Sequence, residues 1–317
     1  MLKNVYFSLV LLLVFGTGAS AQQLARRSQF INNTYLINPA VAGTKTYSPV
    51  YISYRNQWTG FENSPTTYFL SGHTKLPNKI GVGGVLFKDD AGGKISRTGL
   101  EATGAYSFDL NNEDAVSFGL SAVVTQFAFD GTDVNVLDQN DQVLIGTRET
   151  AMNFDATFGM MVYGKNYFFG FSIPQLIQTK LGIEGFLEEK NENIRHYNFM
   201  GSYFYPLNDD FTFQPSVLAK FTGRTPVQMD VLLKSTWKEL IWAGFTYRHS
   251  DALVFSSGVE WMNFSFAYSY DITISDAKNF SPHSHEVSLG YFIQSKRGVF
   301  RSQSLGKRRI PRRRLVK

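Results

Sequence analysis

Four short constellations in this sequence carry residue types able to do chemistry. GLSAV at residues 119–123 begins like the G-x-S-x-G nucleophile elbow, but it lacks the final glycine that turn needs. GVGG at 81–84 has the glycines of a dinucleotide loop, yet VLFKDD after it reads as strand, not as the helix that would hold a pyrophosphate. Small residues in a sheet wall account for both. His283 and His285 share a strand face and, with Glu286, could approach a metal, although a polar loop-to-strand junction is the plainer reading. Asp130, Asp133, Asp138 and Asp141 make an acidic stretch without the glycine and bidentate glutamate of a calcium loop, so a solvated loop is expected. No nucleophile–base pair and no ligand set is left, and no catalytic, cofactor or metal residues are expected.

Two other groups suit binding rather than reaction. Lys307, Arg308, Arg309, Arg312, Arg313 and Arg314 lie in GKRRIPRRRLVK at 306–317, which alone looks like a nucleic-acid arm or targeting signal. The charge distribution argues otherwise. The formal net charge is +5. Setting aside the ten bases from Lys296 onward and Lys3 leaves 20 of the 31 bases against 26 acids, so the body is acidic. A nucleic-acid-binding domain would spread its basic footprint over the folded part. The run instead reads as an extended arm: its like charges repel, it lacks apolar content to fold alone, and Pro311 opposes a helix. An acidic protein surface is its expected partner, with anionic headgroups or peptidoglycan the lesser candidates. Trp58 and Phe61, in NQWTGFENSP, suit an interfacial aromatic girdle or a partner contact.

The elements that must position these residues begin with a leader. Lys3, the apolar run from Val5 to Phe15 and Ala19-Ser20-Ala21 make residues 1–21 a secretory signal peptide. The apolar stretch is shorter than the roughly 20 residues a membrane helix needs, and no cysteine is present for lipid attachment. An exported chain without cysteine is stable without disulfides. From about residue 49 the pattern alternates with period two. In NFSFAYSYD at 263–271, Phe264, Phe266, Tyr268 and Tyr270 oppose Ser265, Ala267, Ser269 and Asp271. Fourteen such segments, from 49–57 to 284–294, are expected, and many run longer than the five or six residues usual in a soluble sandwich. The longer ones have the length of a tilted strand crossing a bilayer.

Arg97, Glu101, Asp155, Asp230, Lys234, Arg248, Asp271 and Glu286 fall on the polar faces, where a wet lumen would receive them. Short even-numbered connections alternate with longer odd-numbered ones, as in outer-membrane barrels with short periplasmic turns. The expectation is an all-β transmembrane antiparallel barrel of about fourteen strands, with twelve or sixteen as the alternatives. Residues 22–48 are a segment able to plug the lumen, 49–294 the barrel, and 295–317 a periplasmic tail.

INPAVAGT at 37–44, YRNQWTGFENSPTTYFLSGHT at 54–74, GVGGVLFKDDAG at 81–92, PSVLAKF at 215–221, PVQMD at 226–230, GFTYRHSDALVF at 244–255, YSYDIT at 268–273 and SHEVSLGYF at 284–292 resemble the PorP/SprF family of type IX secretion system outer-membrane proteins. The resemblance spans residues 30–293. It implies a non-enzymatic barrel of the secretion and gliding-motility machinery, with no cofactor and no nucleic acid. Its implied partners are the periplasmic ring lipoprotein and its companion (PorK and PorN, or GldK and GldN), secreted cargo C-terminal domains, and outer-membrane lipid. The basic tail departs from the family pattern and favours a ring-associated role. A porin or ligand-selective channel is the alternative.

Overall fold

The computed structural model describes residues 26–60, 63–131, 148–179, 193–223, 225–279, 281 and 283–294. The strands are β1 (Tyr47–Thr59), β2 (Thr66–Lys75), β3 (Ile80–Asp90), β4 (Ile95–Asp109), β5 (Ala115–Asp130), β6 (Arg148–Tyr163), β7 (Tyr167–Ile173), β8 (His196–Tyr203), β9 (Tyr205–Pro206), β10 (Phe211–Thr222), β11 (Thr225–Trp237), β12 (Ile241–Arg248), β13 (Ala252–Trp261), β14 (Phe264–Thr273) and β15 (His283–Gln294). Successive wall strands pair antiparallel, and β15 returns to β1 from Gln294↔Tyr47 to Glu286↔Arg55. The ring is therefore closed and has no free edge to pair with another chain. β9 continues the line of β8 along β10, through Tyr205↔Phe213 and Pro206↔Thr212. Counting β8 and β9 as one position gives a wall of fourteen strands. Phe204 interrupts them, its amide donating to Asn166 O at 2.6 Å and its ring lying 6.4 Å from that of Phe168.

The alternation is inside-out relative to a soluble protein. Ser71, Ser117, Ser121, Thr103, Asn153 and Ser269 are buried facing inward, while Ile52, Leu86, Leu120, Phe154, Phe266 and Leu289 stand exposed on the outer wall. Apolar side chains outward and small polar ones inward are what a lipid solvent and a filled lumen require. Asp155, Asp230, Lys234, Arg248, Asp271 and Glu286 are buried inside, and Arg97 and Glu101 line an interior cavity, so all eight charges expected inside are there.

Some strands outrun the alternation that announced them. Alternation in the sequence predicts a strand over 152–163, but β6 begins at Arg148 and pairs Arg148 with Asp130 and Glu149 with Phe129. The hairpin continues past the outer apolar band, where no lipid imposes a period of two. Asp130 is accordingly a strand residue rather than part of a loop.

At one end of the barrel lie the tight turns: 76–79, 110–114, 164–166, 207–210, 238–240 and 262–263. Both Tyr47 and Gln294 are at this turn end. The longer connections 60–65, 131–147, 174–195 and 274–282 share the other, loop end with shorter ones. Residues 26–46 run through the interior between the two ends. They include the single turns η1 (Thr34–Leu36) and η2 (Pro39–Val41). Phe30, Tyr35, Ala40 and Val41 pack there against the inward-facing Phe69, Val85, Met161, Phe168, Leu218 and Leu232. The hydrophobic core of this molecule is thus inside the ring and built around a segment that is not part of the wall.

Candidate functional site

The inner segment is fixed by two sets of contacts. The first centres on NPAVAG, residues 38–43. Asn38, fully buried, donates from Nδ2 to the carbonyls of Met160 on β6 (2.9 Å) and Phe171 on β7 (3.1 Å), and its Oδ1 accepts from the Ala40 amide at 2.9 Å. Ser172 Oγ donates to the Ile37 carbonyl at 2.7 Å. Asparagine suits this position because one planar amide supplies donors to two wall carbonyls and an acceptor to the Ala40 amide. The chain can come so close because the wall facing it is glycine. A side chain at Gly119 on β5 would strike Pro39 and Ala40, at Gly159 on β6 Asn38 and Pro39, and at Gly81 on β3 Ala42. Gly43 adopts φ +75 and presses on Gly81, so it needs both glycine's missing Cβ and its left-handed backbone. GVGG and the glycine of GLSAV, barren as catalytic motifs, are this docking surface.

The second set is a buried charge network toward the loop end. Arg55 of β1 reaches Asp271 of β14 at 2.8 Å and Glu286 of β15 at 3.3 Å. Arg248 of β12 joins Asp230 of β11 at 3.3 Å, Asp271 at 3.3 Å and Asp251 at 3.5 Å. Ser28 of the inner segment sits at the junction. Its hydroxyl donates to Asp271 (2.7 Å) and accepts from Arg55 (2.8 Å) and Arg248 (3.3 Å), while its amide donates to Glu286 at 2.7 Å. Arg26 closes the set on Asp251, beyond the end of β12, at 2.6 Å. Lys234 Nζ also meets Asn32 Oδ1 at 3.1 Å. Charges removed from water are tolerated only when paired in this way. The network therefore ties five wall strands to one serine.

Above the inner segment, at the loop end, is a cavity of about 720 Å³ whose floor includes Leu36, Ile37 and Pro39. Arg27 caps that floor, its guanidinium 4.4 Å above the Phe69 ring and bonded to the Leu36 carbonyl.

The residues singled out from sequence fall as follows. Trp58 is left-handed (φ 58) where the β1–β15 register shifts, donates its amide to Ser284 Oγ at 3.0 Å, and lines the cavity. The irregularity takes it out of the strand's alternation, so it is a rim residue of the mouth and not part of a lipid-facing girdle. Phe61, Asp133, Asp138, Asp141 and the basic residues Lys307, Arg308, Arg309, Arg312, Arg313 and Arg314 lie outside the described residues, as do residues 1–21. His283 and His285 share the outer face. Each is hydrogen-bonded through Nδ1 to a tyrosine, Tyr270 at 2.6 Å and Tyr268 at 2.7 Å, while Glu286 points inward. The described residues hold no metal-ligating cluster. Sequence reasoning placed INPAVAGT within a possible plug but did not single out Asn38 or Ser28 as wall contacts, because the segment has no periodicity to orient its side chains.

Solved structures of similar fold are the CymD monoaromatic hydrocarbon channel (TM-score 0.55, 12% identity, covering 88% of this chain and 96% of that one) and the toluene transporters TbuX of Ralstonia pickettii (0.51, 9%, 82% and 93%) and TodX of Pseudomonas putida (0.50, 10%, 88% and 96%). At such identities the likeness is one of fold. No curated protein sequence matches this chain. The profile of the type IX secretion system membrane protein family PorP/SprF matches residues 19–291, which takes in the inner segment and every strand of the wall except the last residues of β15. The asparagine dock, the wall glycines opposite it and the Ser28 network all fall within that match, and the chain belongs to the PorP/SprF family.

Proposed function

We propose that this protein is a non-enzymatic outer-membrane component of the type IX secretion and gliding machinery, acting through protein contacts and not through conduction. One observation carries the reading: residues 26–46 fill the barrel and are bonded to its wall at both Asn38 and Ser28. A barrel so occupied suits a platform better than a pore. On this reading the turn end faces the periplasm, and the chain leaves β15 there at Gln294, so residues 295–317 carry their basic run toward periplasmic ring components. Trp58, at the opposite mouth, is available to secreted cargo, and Phe61 is proposed to share that contact.

The purified barrel should show little steady current in planar bilayers. Removing residues 296–317 should leave insertion intact and weaken recovery of ring proteins, with the remaining recovery less sensitive to salt. Unchanged co-purification would remove the tail from the reading. A large, steady open state would favour the alternative, a ligand-selective channel, for which the loop-end cavity is the supporting observation.

A further inference from the structure

The loop-end cavity has two unlike sides. Toward β2, β3 and β5 it is lined by Phe69, Phe87 and Phe127; toward β10 it is lined by Lys220. Most charges around it are already engaged. Arg26 is held by Asp251, Arg97 by Asp89, and Asp155 accepts from the Ile177 amide at 2.9 Å. Two charges are not. Among the described residues, neither Lys220 nor Glu101 makes a hydrogen bond or an ion pair. The opposite charge that Lys220 feels most is Asp230, which Arg248 occupies, and the like charges of Arg248, Arg27 and Arg26 add to the positive potential around it. Glu101 stands on β4, on the apolar side, balanced through space by Arg27.

An ammonium with three donors, facing an open cavity across from a phenylalanine wall, is half of an amphipathic recognition site. Its complement has an anionic oxygen at one end and an apolar body at the other. The cavity volume lies within the roughly 300–1,000 Å³ of small-molecule sites. We infer that this cavity binds an apolar carboxylate, with Lys220 as the charge partner and Phe87 and Phe127 as the seat of the apolar body. On the apolar side Arg27 is already balanced by Glu101, so the acid is directed toward Lys220 on β10. The chemistry is common to a free aryl or acyl acid and to a peptide whose C-terminal carboxylate follows an apolar side chain. Neither requires the assembly role proposed above, since a barrel that recruits no ring protein keeps the cavity.

The test is ¹⁹F NMR on the full chain in lipid nanodiscs. Three probes are titrated: 4-fluorophenylacetate, its neutral amide, and a short peptide ending in 4-fluorophenylalanine with a free carboxylate. The acids should give saturable broadening, with the amide weaker by about tenfold, the equivalent of about 1.4 kcal/mol. Lys220→Met should cost the acids about the same factor and leave the amide unchanged. Glu101→Gln should weaken neither acid. A tighter free acid assigns the site to small molecules, and a tighter peptide acid assigns it to a chain end. Equal binding of acid and amide, full acid binding by Lys220→Met, or no saturation at millimolar probe would overturn the proposal. If Lys220→Met fails to insert, the acid-against-amide comparison on the unaltered protein decides.

Discussion

Arg248 faces three carboxylates with 1% of its side chain exposed, whereas Arg26 and Asp251 make a closer contact with 21% and 18% exposed. Distance alone would rank Arg26 as the stronger anchor, but solvent reverses the order. Truncating one partner of a buried pair leaves charge stranded in low dielectric, at a cost of about 3–5 kcal/mol, while an exposed pair contributes about 0–1 kcal/mol. Arg248→Met should therefore lower the temperature at which the folded, fast-migrating form is lost on gels far more than Arg26→Ala does. Comparable shifts would mean that water reaches the network. The sequence made Arg248 legible as an inward charge, because its strand alternates. Its partners were not legible, since register across β11, β12 and β14 decides them and Ser28 belongs to no periodic element.

NPAVAG and the inward glycines of β3, β5 and β6 form one unit split between distant parts of the chain. Glycine in a strand interior gives up side-chain packing and backbone entropy, so its repeated use in a wall marks a close backbone approach. Gly159→Val would place methyl groups where Asn38 and Pro39 lie. The substitution leaves the β5–β6 and β6–β7 ladders intact, because it removes no backbone donor. The expected result is a barrel that still inserts but has its inner segment displaced, seen as steady current in planar bilayers where the unaltered protein passes little. A closed Gly159→Val barrel would show that the Ser28 network alone keeps the lumen filled. The strands themselves were readable from alternation, except where lipid no longer enforces it, as at Arg148 and Glu149, or where the wall breaks step, as at Trp58 and Phe204. The docking of the inner segment was not, because its residues follow the shape of the lumen and not a period.

At the scale of the whole molecule, the fold class follows from strand length and face chemistry, and the alternation of turn and loop lengths distinguishes the two ends of the barrel. What neither feature conveys is the path of residues 26–46. Arg26 is bonded to Asp251 at the loop end, and the segment from it reaches Tyr47 at the turn end, where β15 also finishes. An epitope placed ahead of Arg26 should therefore be reached from the face that carries the long loops, and one placed after Gln294 from the face with the turns, in antibody labelling of intact against permeabilised cells. Labelling of both from one face would mean that the inner segment does not traverse the barrel. An even-stranded barrel ordinarily returns its polypeptide to the side it came from. Here the extra inner pass makes the number of crossings odd among the described residues, so Arg26 and Gln294 stand at opposite mouths of one closed wall.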